Sequence, residues 1–338
     1  MSLIIIKPGL LTTVQDLGRH GYQKDGILVS GAMDATALRV ANLLVGNAEN
    51  TAGLEITLLG PRIRFEADHL IALTGAHFSP TLNGQSVGMN RPVWVAAGAE
   101  LALGTPAAGC RAYLAVSGGF VLAPVLGSQS TYLRAGLGGL HGRALQAGDT
   151  LSGAGTTSTG QQLVLNLTQA DPSAPCKQAR WTPNPALCSK PLSNPVIRAI
   201  RGPEFDQFLP DCQRAFWQEP FVVSNESDRM GYRLQGPLLA RSNPTELLSS
   251  AVTFGTVQVP PDGHAIALMA DHQTTGGYPR IAQVITADFS ALAQARPGQR
   301  IRFHEVSLAE AQALYLAQER QLRALQRAVA LQTARHAE

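Results

Sequence analysis

Apolar segments of strand length, separated by turn signals, recur along most of the chain and constrain its fold more than any other feature. Residues 70–74 (LIALT) and 93–96 (VWVA) are examples in the first half, and residues 266–269 (IALM) are an example in the second. Asn83-Gly84 adds a two-residue hairpin signal, because both turn positions favour positive φ. Raised counts of Gly (33) and Pro (21) suit a fold with many turns. The pattern predicts a mainly β protein.

Composition and charge exclude several classes of protein. The formal charge of +3 is small for 338 residues and no basic run is present, so nucleic acid is not an implied partner. No stretch approaches the roughly 20 apolar residues that span a bilayer, and the N-terminus lacks signal-peptide features. A cytoplasmic protein without a membrane partner is therefore predicted.

The four cysteines give no signal of a metal site. Cys110, Cys176, Cys188 and Cys212 are scattered along the chain without C-x-x-C spacing, whereas zinc needs clustered soft ligands. We predict free thiols and no metal site.

A change of composition marks the predicted domain boundaries. Residues 171–195 hold six prolines and little periodicity, which is typical of a linker or a long surface crossing. The predicted order is a first lobe at 1–170, this Pro-rich linker at 171–195, a second lobe at 196–305 and a C-terminal helix at 306–338.

The two halves of the chain share the pattern R-x-G-Y-x3-G. It begins at Arg19 in the first half and at Arg229 in the second, and short matches of this kind also arise by chance. If the pattern reflects an internal duplication, it predicts two similar β-barrel-like lobes with a ligand cleft between them.

Two helices are predicted. The first follows Ser30 to Asp34, covers ATALRVANLL and ends near Gly46. The second follows a Ser307-x-x-Glu310 capping box and runs through helix formers without Gly or Pro. Its predicted apolar stripe consists of Leu308, Ala311, Tyr315, Leu322, Leu325 and Val329.

The first of three polar constellations runs from Gln15 to Tyr22 and continues from Ser30 to Asp34. Its glycines let the backbone approach a ligand, and Ser-Gly-Ala before a helix offers N–H groups to an anion. Asp34 is a candidate to take a proton or to hold a cation. The alternative is that Ser30 to Asp34 only caps the helix, because Ser and Asp are favoured caps.

The second constellation surrounds Arg229, and the third is MADHQTTGGYPR at 269–280. The Arg229 guanidinium suits a carboxylate or phosphate, or instead braces a turn through a buried Asp–Arg pair. The third has seven hydrogen-bonding side chains around a Gly pair, directly after an apolar strand, where folds often place sites. P-loop, strand–GxGxxG–helix and GxSxG patterns are absent, so motifs alone do not identify the reaction.

Longer blocks resemble the signature blocks of one protein family. They include TTVQDLGRHGYQKDGILVSGAMD, GSQSTYLRAGLGGLHGRALQAGD and LMADHQTTGGYPRIAQVITAD, and they run from about Pro8 to Phe303. On these blocks the chain is identified as a member of the allophanate hydrolase subunit 2 type, also called the biotin-dependent carboxyltransferase family. Within that family it resembles the branch formed by the C subunits of 5-oxoprolinase. The resemblance implies two cyclophilin-like β-barrel lobes related by an internal duplication.

The resemblance also implies an activity and its partners. In this branch an ATP-binding, hetero-oligomeric hydrolase opens 5-oxo-L-proline to L-glutamate, with ATP and Mg2+ as co-substrate of the complex. The implied partners are the small molecule 5-oxoproline and two further 5-oxoprolinase subunits, the kinase-inhibitor-like B subunit plus the LamB/YcsF-like A subunit. No A-M-K-M-type biotinylation sequence is present, so no covalent biotin is expected on this chain.

Carried onto this chain, the resemblance implies a set of site residues. Ser30, Gly31, Met33 and Asp34 are expected on one wall of the cleft, with Arg229, Met230 and Tyr232 opposite and Asp271, Gln273, Thr274, Thr275 and Tyr278 as its floor. Catalytic roles are expected for Asp34, Arg229, Asp271 and Gln273, and substrate binding for the others.

Two other functions stay open at this point. One is a regulatory protein that binds a kinase-inhibitor homologue. The other is the carboxyltransferase component of a urea- or amide-carboxylating enzyme, which requires a biotinylated protein in the same cell.

Overall fold

The chain forms two compact units, each drawn from more than one stretch of sequence. The computed structural model describes residues 2–170, 177–188, 193–243 and 247–334. The first unit comprises Met1–Gly18, Asp34–Lys190 and Glu319–Glu338, and the second comprises Arg19–Met33 and Pro191–Gln318. Arg19–Met33 therefore groups with the second unit, although the sequence-based bounds include it in the first lobe. Those bounds stay a prediction.

The first unit contains two six-stranded sheets. The first sheet has the order β11-β1-β4-β9-β6-β7 and consists of β1 (Ser2–Lys7), β4 (Arg62–Phe65), β6 (Thr81–Leu82), β7 (Gln85–Ser86), β9 (Glu100–Ala102) and β11 (Thr150–Ser152). The second has the order β12-β8-β5-β10-β3-β2 and consists of β2 (Leu11–Gln15), β3 (Gly53–Thr57), β5 (His69–His77), β8 (Pro92–Val95), β10 (Ala108–Val116) and β12 (Lys177–Gln178). Asn83-Gly84 forms the β6–β7 turn with positive φ at both residues, as predicted.

Burial explains the two sequence patterns seen in these strands. β1 alternates inward and outward side chains, and its Leu3 and Ile5 lie in the core of the unit. β5 is instead buried on both faces along nearly its whole length, because helix α1 (Ala35–Leu44) packs on the sheet at β5 and β10. The hydroxyl of Thr74 donates to the carbonyl of Ala37 at 2.7 Å and ties the helix to the sheet. The unit also contains helix α2 (Ser158–Ala170).

The second unit is built around a closed seven-stranded barrel with the order β13-β20-β17-β18-β15-β14-β21. Its strands are β13 (Val196–Arg201), β14 (Phe221–Val223), β15 (Gly231–Gln235), β17 (Thr256–Gln258), β18 (Ile266–Leu268), β20 (Arg280–Val284) and β21 (Arg300–Glu305), while β16 (Ser250–Ala251) and β19 (Thr275–Gly276) form a separate pair. Helix α3 (Pro210–Gln218) packs on β21, where Phe216 stacks on Phe303 with ring centroids 4.7 Å apart. A short helix α4 (Phe289–Ala293) precedes β21.

The terminal helix α5 extends from Leu308 to Ala334, and its residues are shared between the two units. The hydroxyl of Ser307 accepts from the N–H of Glu310 at 3.1 Å, as the capping box predicts. In the first unit, Arg39 of α1 binds both carboxylate oxygens of Glu319 at 2.5 and 2.8 Å. The mainly β fold and the C-terminal helix are thus confirmed.

The predicted apolar stripe of α5 is correct in one half and wrong in the other. Leu322, Leu325 and Val329 are buried, whereas Leu308 is 60% exposed and Tyr315 is 41% exposed. The last two line a shallow apolar groove of about 430 Å3 on the second unit, so the protein surface beneath them does not close over their side chains.

The Pro-rich segment is only partly described by the structure. Its described parts are residues 177–188 and 193–195, and the first of these adds β12 to a sheet of the first unit and buries Leu187. Cys176 lies outside the described residues, and no disulfide joins any two of the described cysteines Cys110, Cys188 and Cys212. In the described part of the chain, no helix has the length and apolar character that crossing a membrane requires.

Shortening Leu322 to alanine tests how the C-terminal half of α5 is held. Leu322 is fully buried, so Leu322→Ala should lower the free energy of unfolding by about 2–5 kcal/mol. Leu316→Ala is the matched control on the same helix, because Leu316 is 51% exposed and its loss should change that free energy by less than about 0.5 kcal/mol. Denaturant titration measures both values. Equal effects of the two substitutions would contradict the burial of this half.

Candidate functional site

Two neighbouring strands of the second unit bring Arg229 and Asp271 side by side. β15 and β18 are antiparallel, and Gly231 is opposite Leu268. The pairing continues beyond the strands, because the N–H of Met269 donates to the carbonyl of Met230 at 3.0 Å and that of Asp271 to the carbonyl of Arg229 at 2.7 Å. The ladder of backbone hydrogen bonds therefore sets the separation of the two side chains.

The Arg229 and Asp271 side chains form a buried, two-point ion pair. Arg229 Nε is 2.9 Å from Asp271 Oδ2, and Nη2 is 3.0 Å from Oδ1. Both residues are at most 6% exposed. A pair this deep persists only when its remaining hydrogen-bonding capacity is also satisfied, because removing two charges from water costs several kcal/mol per ion.

Residues 30 and 31 supply further partners to this pair. The hydroxyl of Ser30 donates to Asp271 Oδ1 at 2.7 Å, and the carbonyl of Gly31 accepts from Arg229 Nη2 at 2.6 Å. Ser30 has φ +57° and Gly31 has φ +90°. Positive φ is uncommon for serine, so the hydrogen bonds to the ion pair offset the cost of this backbone shape. Ser30, Gly31, Arg229 and Asp271 are called the ion-pair network below.

The ion-pair network limits what Asp271 can do chemically. Its Oδ1 accepts from Ser30 and from Arg229, and its Oδ2 accepts from Arg229. A carboxylate held in this way is suited to orienting neighbouring groups. The side chain of Gln273 is less constrained, since its Nε2 makes one long contact of 3.5 Å to Gln258 Oε1 and the residue is partly exposed.

His272 is buried beside the network and is held in its neutral form. Burial lowers the pKa of His272 below its ordinary value of 6.5, against the opposing effects of a hydrogen bond to Gln273 and of the Asp271 charge. Its Nδ1 lies 2.6 Å from the carbonyl oxygen of Gln273. The neutral imidazole therefore carries its proton on Nδ1 and donates it to that carbonyl.

Other predicted site residues lie elsewhere in the second unit. Met33 and Tyr232 are in the hydrophobic core, and the Tyr232 hydroxyl donates to the carbonyl of Ala293 at 3.4 Å. Thr275 lies in β19, and the carbonyl of the preceding Thr274 accepts from the N–H of Val252. Met230 is half-buried. Tyr278 is 46% exposed and lines a cavity of about 580 Å3. Ligand contact by these residues stays a prediction.

Asp34 lies in the first unit, where it caps α1. Its Oδ1 accepts from the N–H of Ala37 at 3.0 Å, so Asp34 has the helix-capping role that its sequence position also allows. Its own N–H donates to the hydroxyl of Tyr113 at 2.7 Å, and that hydroxyl donates to Glu55 at 2.7 Å. Burial and the charges of Glu55 and Asp34 raise the pKa of Tyr113 well above its ordinary value.

Gln258 and Arg241 belong to the polar groups that the sequence did not single out. Gln258 is 2% exposed, and its Nε2 has no hydrogen-bond partner among the described residues. Arg241 lines the 580 Å3 cavity. Neither residue belongs to a motif, and Arg241 stands in RSNPTE, which has the composition of a surface loop.

Among the residues with described positions, no group of three or more His, Cys, Asp or Glu side chains is placed to hold a metal ion.

Comparisons with known proteins connect this chain to a family and to two bacterial relatives. The model of the carboxyltransferase domain, subdomain A and B, matches residues 25–305. The C subunit of 5-oxoprolinase from Escherichia coli (strain K12) is 45% identical over 311 residues, which are 91% of this chain and 93% of that protein. The C subunit of 5-oxoprolinase from Haemophilus influenzae is 43% identical over 299 residues, 88% of this chain and 89% of that protein.

A solved structure extends the comparison to the fold. The crystal structure of the K. lactis urea amidolyase matches with a TM-score of 0.86 at 28% identity. The match covers 96% of this chain and 20% of that one, so this chain spans about a fifth of the length of the K. lactis protein.

Removing one partner of the ion pair should cost more stability than removing both. Asp271→Asn leaves the Arg229 charge buried and should lower the free energy of unfolding by about 3–5 kcal/mol. Arg229→Met combined with Asp271→Leu should lose less, because no buried charge remains. The control is Asp211→Asn, whose pair with Arg214 is exposed and should contribute less than about 1 kcal/mol. Urea titration measures all three, and a double variant less stable than Asp271→Asn would contradict the prediction.

The neutral state of His272 makes stability depend on pH. Above the ordinary pKa of 6.5, the folded and unfolded forms are both neutral at this residue. As the pH falls below that value, the unfolded form takes up a proton that the folded form resists, so stability decreases. His272→Gln should therefore flatten the decline in melting temperature between about pH 6.5 and 5. An unchanged slope would show that other groups cause the acid sensitivity.

Proposed function

The chain belongs to the carboxyltransferase domain family of subdomains A and B, and on that premise we propose that it is the C subunit of an ATP-dependent 5-oxoprolinase. In this proposal the assembled enzyme opens 5-oxo-L-proline to L-glutamate, and this chain acts only with its partners. The observation that carries the proposal is the similarity to two bacterial C subunits, which extends over about nine-tenths of both chains. The family expected from the sequence blocks is confirmed by the family model.

The chemistry of the substrate defines what this chain must supply. A lactam is a stable amide, so its carbonyl needs activation before water attacks, and phosphorylation by ATP is the proposed route. Catalysis of phosphoryl transfer depends mainly on positioning and charge neutralisation. In the proposal, Arg229 and Asp271 hold the loop that follows β18, and Gln273, Thr274 and Thr275 on that loop orient the planar amide. Ser30 and Gly31 complete the support of this loop.

The nucleotide and its metal are proposed as co-substrate of the whole complex. The described residues bring together no cluster of carboxylates for Mg2+, and both oxygens of Asp271 are already bonded to Arg229. We propose that the enzyme is completed in the cytoplasm by two partners, one kinase-inhibitor-like (the B subunit) and one LamB/YcsF-like (the A subunit).

A carboxyltransferase is the second candidate function. It is favoured by the family model and by the fold shared with the K. lactis urea amidolyase. That function needs a biotin carried by another protein, because this chain lacks a biotinylation sequence. A biotinylated protein that co-purifies with this chain would favour it over the 5-oxoprolinase proposal.

Reconstitution tests the proposed function. The chain is co-expressed with its two candidate partner subunits, and 5-oxoproline-dependent ATP hydrolysis and glutamate formation are measured with each protein omitted in turn. We expect turnover only when this chain is present. Turnover by the partners without it, or no response to 5-oxoproline, would contradict the proposal.

The same assay tests the loop after β18. Gln273→Ala should lower turnover at least about tenfold, because it removes a donor near the reacting amide. Gln326→Ala is the matched control, since Gln326 is exposed on α5 and should leave turnover unchanged. Assembly of the complex, measured by size-exclusion chromatography, must be equal for both variants. Full activity of Gln273→Ala in an intact complex would remove Gln273 from the site.

A further inference from the structure

The 580 Å3 cavity of the second unit has mostly apolar walls and one charged group. Four chain segments form it, and its lining consists of Phe208, Leu239, Ala240, Arg241, Leu247, Val259, Pro260, Pro261, Gly277, Tyr278 and Pro279. Among the described residues of this lining, Arg241 has the only charged side chain, and Tyr278 adds a hydroxyl. Its size and mixture of apolar wall with few polar groups are those of small-molecule sites.

The guanidinium of Arg241 lacks an acceptor in the described part of the chain. Its Nη1 is buried and makes no hydrogen bond to any described residue. No ion pair within 4.0 Å involves Arg241 in that part, whereas Arg280 and Arg229 of the same unit pair with Glu204 and Asp271. A buried cationic nitrogen without an acceptor is costly, so an anion bound beside it would be stabilised.

Backbone hydrogen bonds hold the walls of the cavity in place around Arg241. The N–H of Leu209 donates to the carbonyl of Ala240 at 3.0 Å, and that of Ser242 donates to the carbonyl of Gln207 at 2.9 Å, so Arg241 is fixed on both sides. The N–H of Leu239 donates to Gly263 at 3.0 Å, which ties in the turn after Val259. The site is thus preorganised, which lowers the entropic cost of binding.

We propose that this cavity binds a small cyclic monocarboxylate, with the carboxylate on Arg241 and the ring against Phe208, Leu239 and Pro261. A guanidinium presents two parallel N–H donors that match a carboxylate. A single positive charge suits one carboxylate and does not suit a nucleotide triphosphate. That the natural ligand is 5-oxoproline, and is therefore cyclic, rests on the proposed function, whereas the expected carboxylate rests on Arg241 and the apolar walls of the cavity.

Three compounds separate the contributions of charge and ring. Binding to the purified full-length chain is measured by calorimetry with 5-oxo-L-proline, with cyclopentanecarboxylate, which keeps the carboxylate without the lactam, and with pyrrolidinone, which keeps the lactam without the carboxylate. We expect both carboxylates to bind and pyrrolidinone to bind at least about tenfold more weakly. Equal binding of pyrrolidinone, or no binding of either carboxylate, would overturn the proposal.

Variants of Arg241 connect the binding to this residue. Arg241→Gln should weaken cyclopentanecarboxylate binding at least about tenfold, and Arg241→Lys should have an intermediate effect because it keeps the charge but not the paired donors. Arg214→Gln is the matched control, since Arg214 is exposed on α3. Carboxylate affinity unchanged in Arg241→Gln would overturn the proposal.

The melting temperature distinguishes a binding role from a structural one. Arg241→Gln removes a partly buried charge whose buried Nη1 has no acceptor among the described residues, so the melting temperature of the variant should be equal to that of the wild type or higher. A lower melting temperature together with unchanged affinity would show that Arg241 is structural and would overturn the proposal.

The assembled enzyme separates failure of this inference from failure of the proposed function. If the complex turns over 5-oxoproline and Arg241→Gln raises its KM, both stand. If turnover persists with an unchanged KM in that variant, the cavity is not the substrate site and the inference is overturned while the proposed function stands. If the complex ignores 5-oxoproline but cyclopentanecarboxylate still binds through Arg241, the proposed function fails and the carboxylate site stands.

Discussion

The buried ion pair between Arg229 and Asp271 is the interaction on which the arrangement of the second unit depends. Two opposite charges at most 6% exposed need every remaining donor and acceptor satisfied. Strand pairing places the two side chains at bonding distance. Their further hydrogen bonds are made with the hydroxyl of Ser30 and the carbonyl of Gly31. The electrostatic requirement therefore explains why Arg19–Met33 groups with residues more than 150 positions away along the chain.

Local patterns predict several elements of the fold, whereas the contacts within the candidate site join residues that are far apart in the sequence. The Asn83-Gly84 hairpin, the start of α1 and the capping box at Ser307 depend on neighbouring residues, and all three were predicted. The pairing of Arg229 with Asp271 joins two constellations 42 residues apart, and no local pattern encodes that contact. Arg241 could not be found from sequence, because its significance lies in the acceptor that it lacks among the described residues and in the apolar walls around it.

The repeated R-x-G-Y pattern shows that similar sequence in the two halves of a chain does not predict which structural unit each copy joins. Arg19 and Arg229 begin the two copies, and both are buried, with exposures of 1% and 6%. The sequence suggested one copy in each lobe, whereas the structure groups both arginines with the second unit. Chain connectivity and spatial grouping differ here because the stretch from Arg19 to Met33 joins the second unit while the residues on either side of it join the first.

The division of each unit over distant stretches of sequence has a consequence for biosynthesis. During translation, Arg19–Met33 leaves the ribosome long before β13 to β21 are available to receive it, and the first unit waits for Glu319 and the residues after it. Such long-range contacts are slow to form, and they leave apolar surface uncovered in the meantime. The nascent chain therefore completes neither unit until nearly all of it has emerged, which makes co-translational protection by chaperones more important than for a protein of two sequential domains.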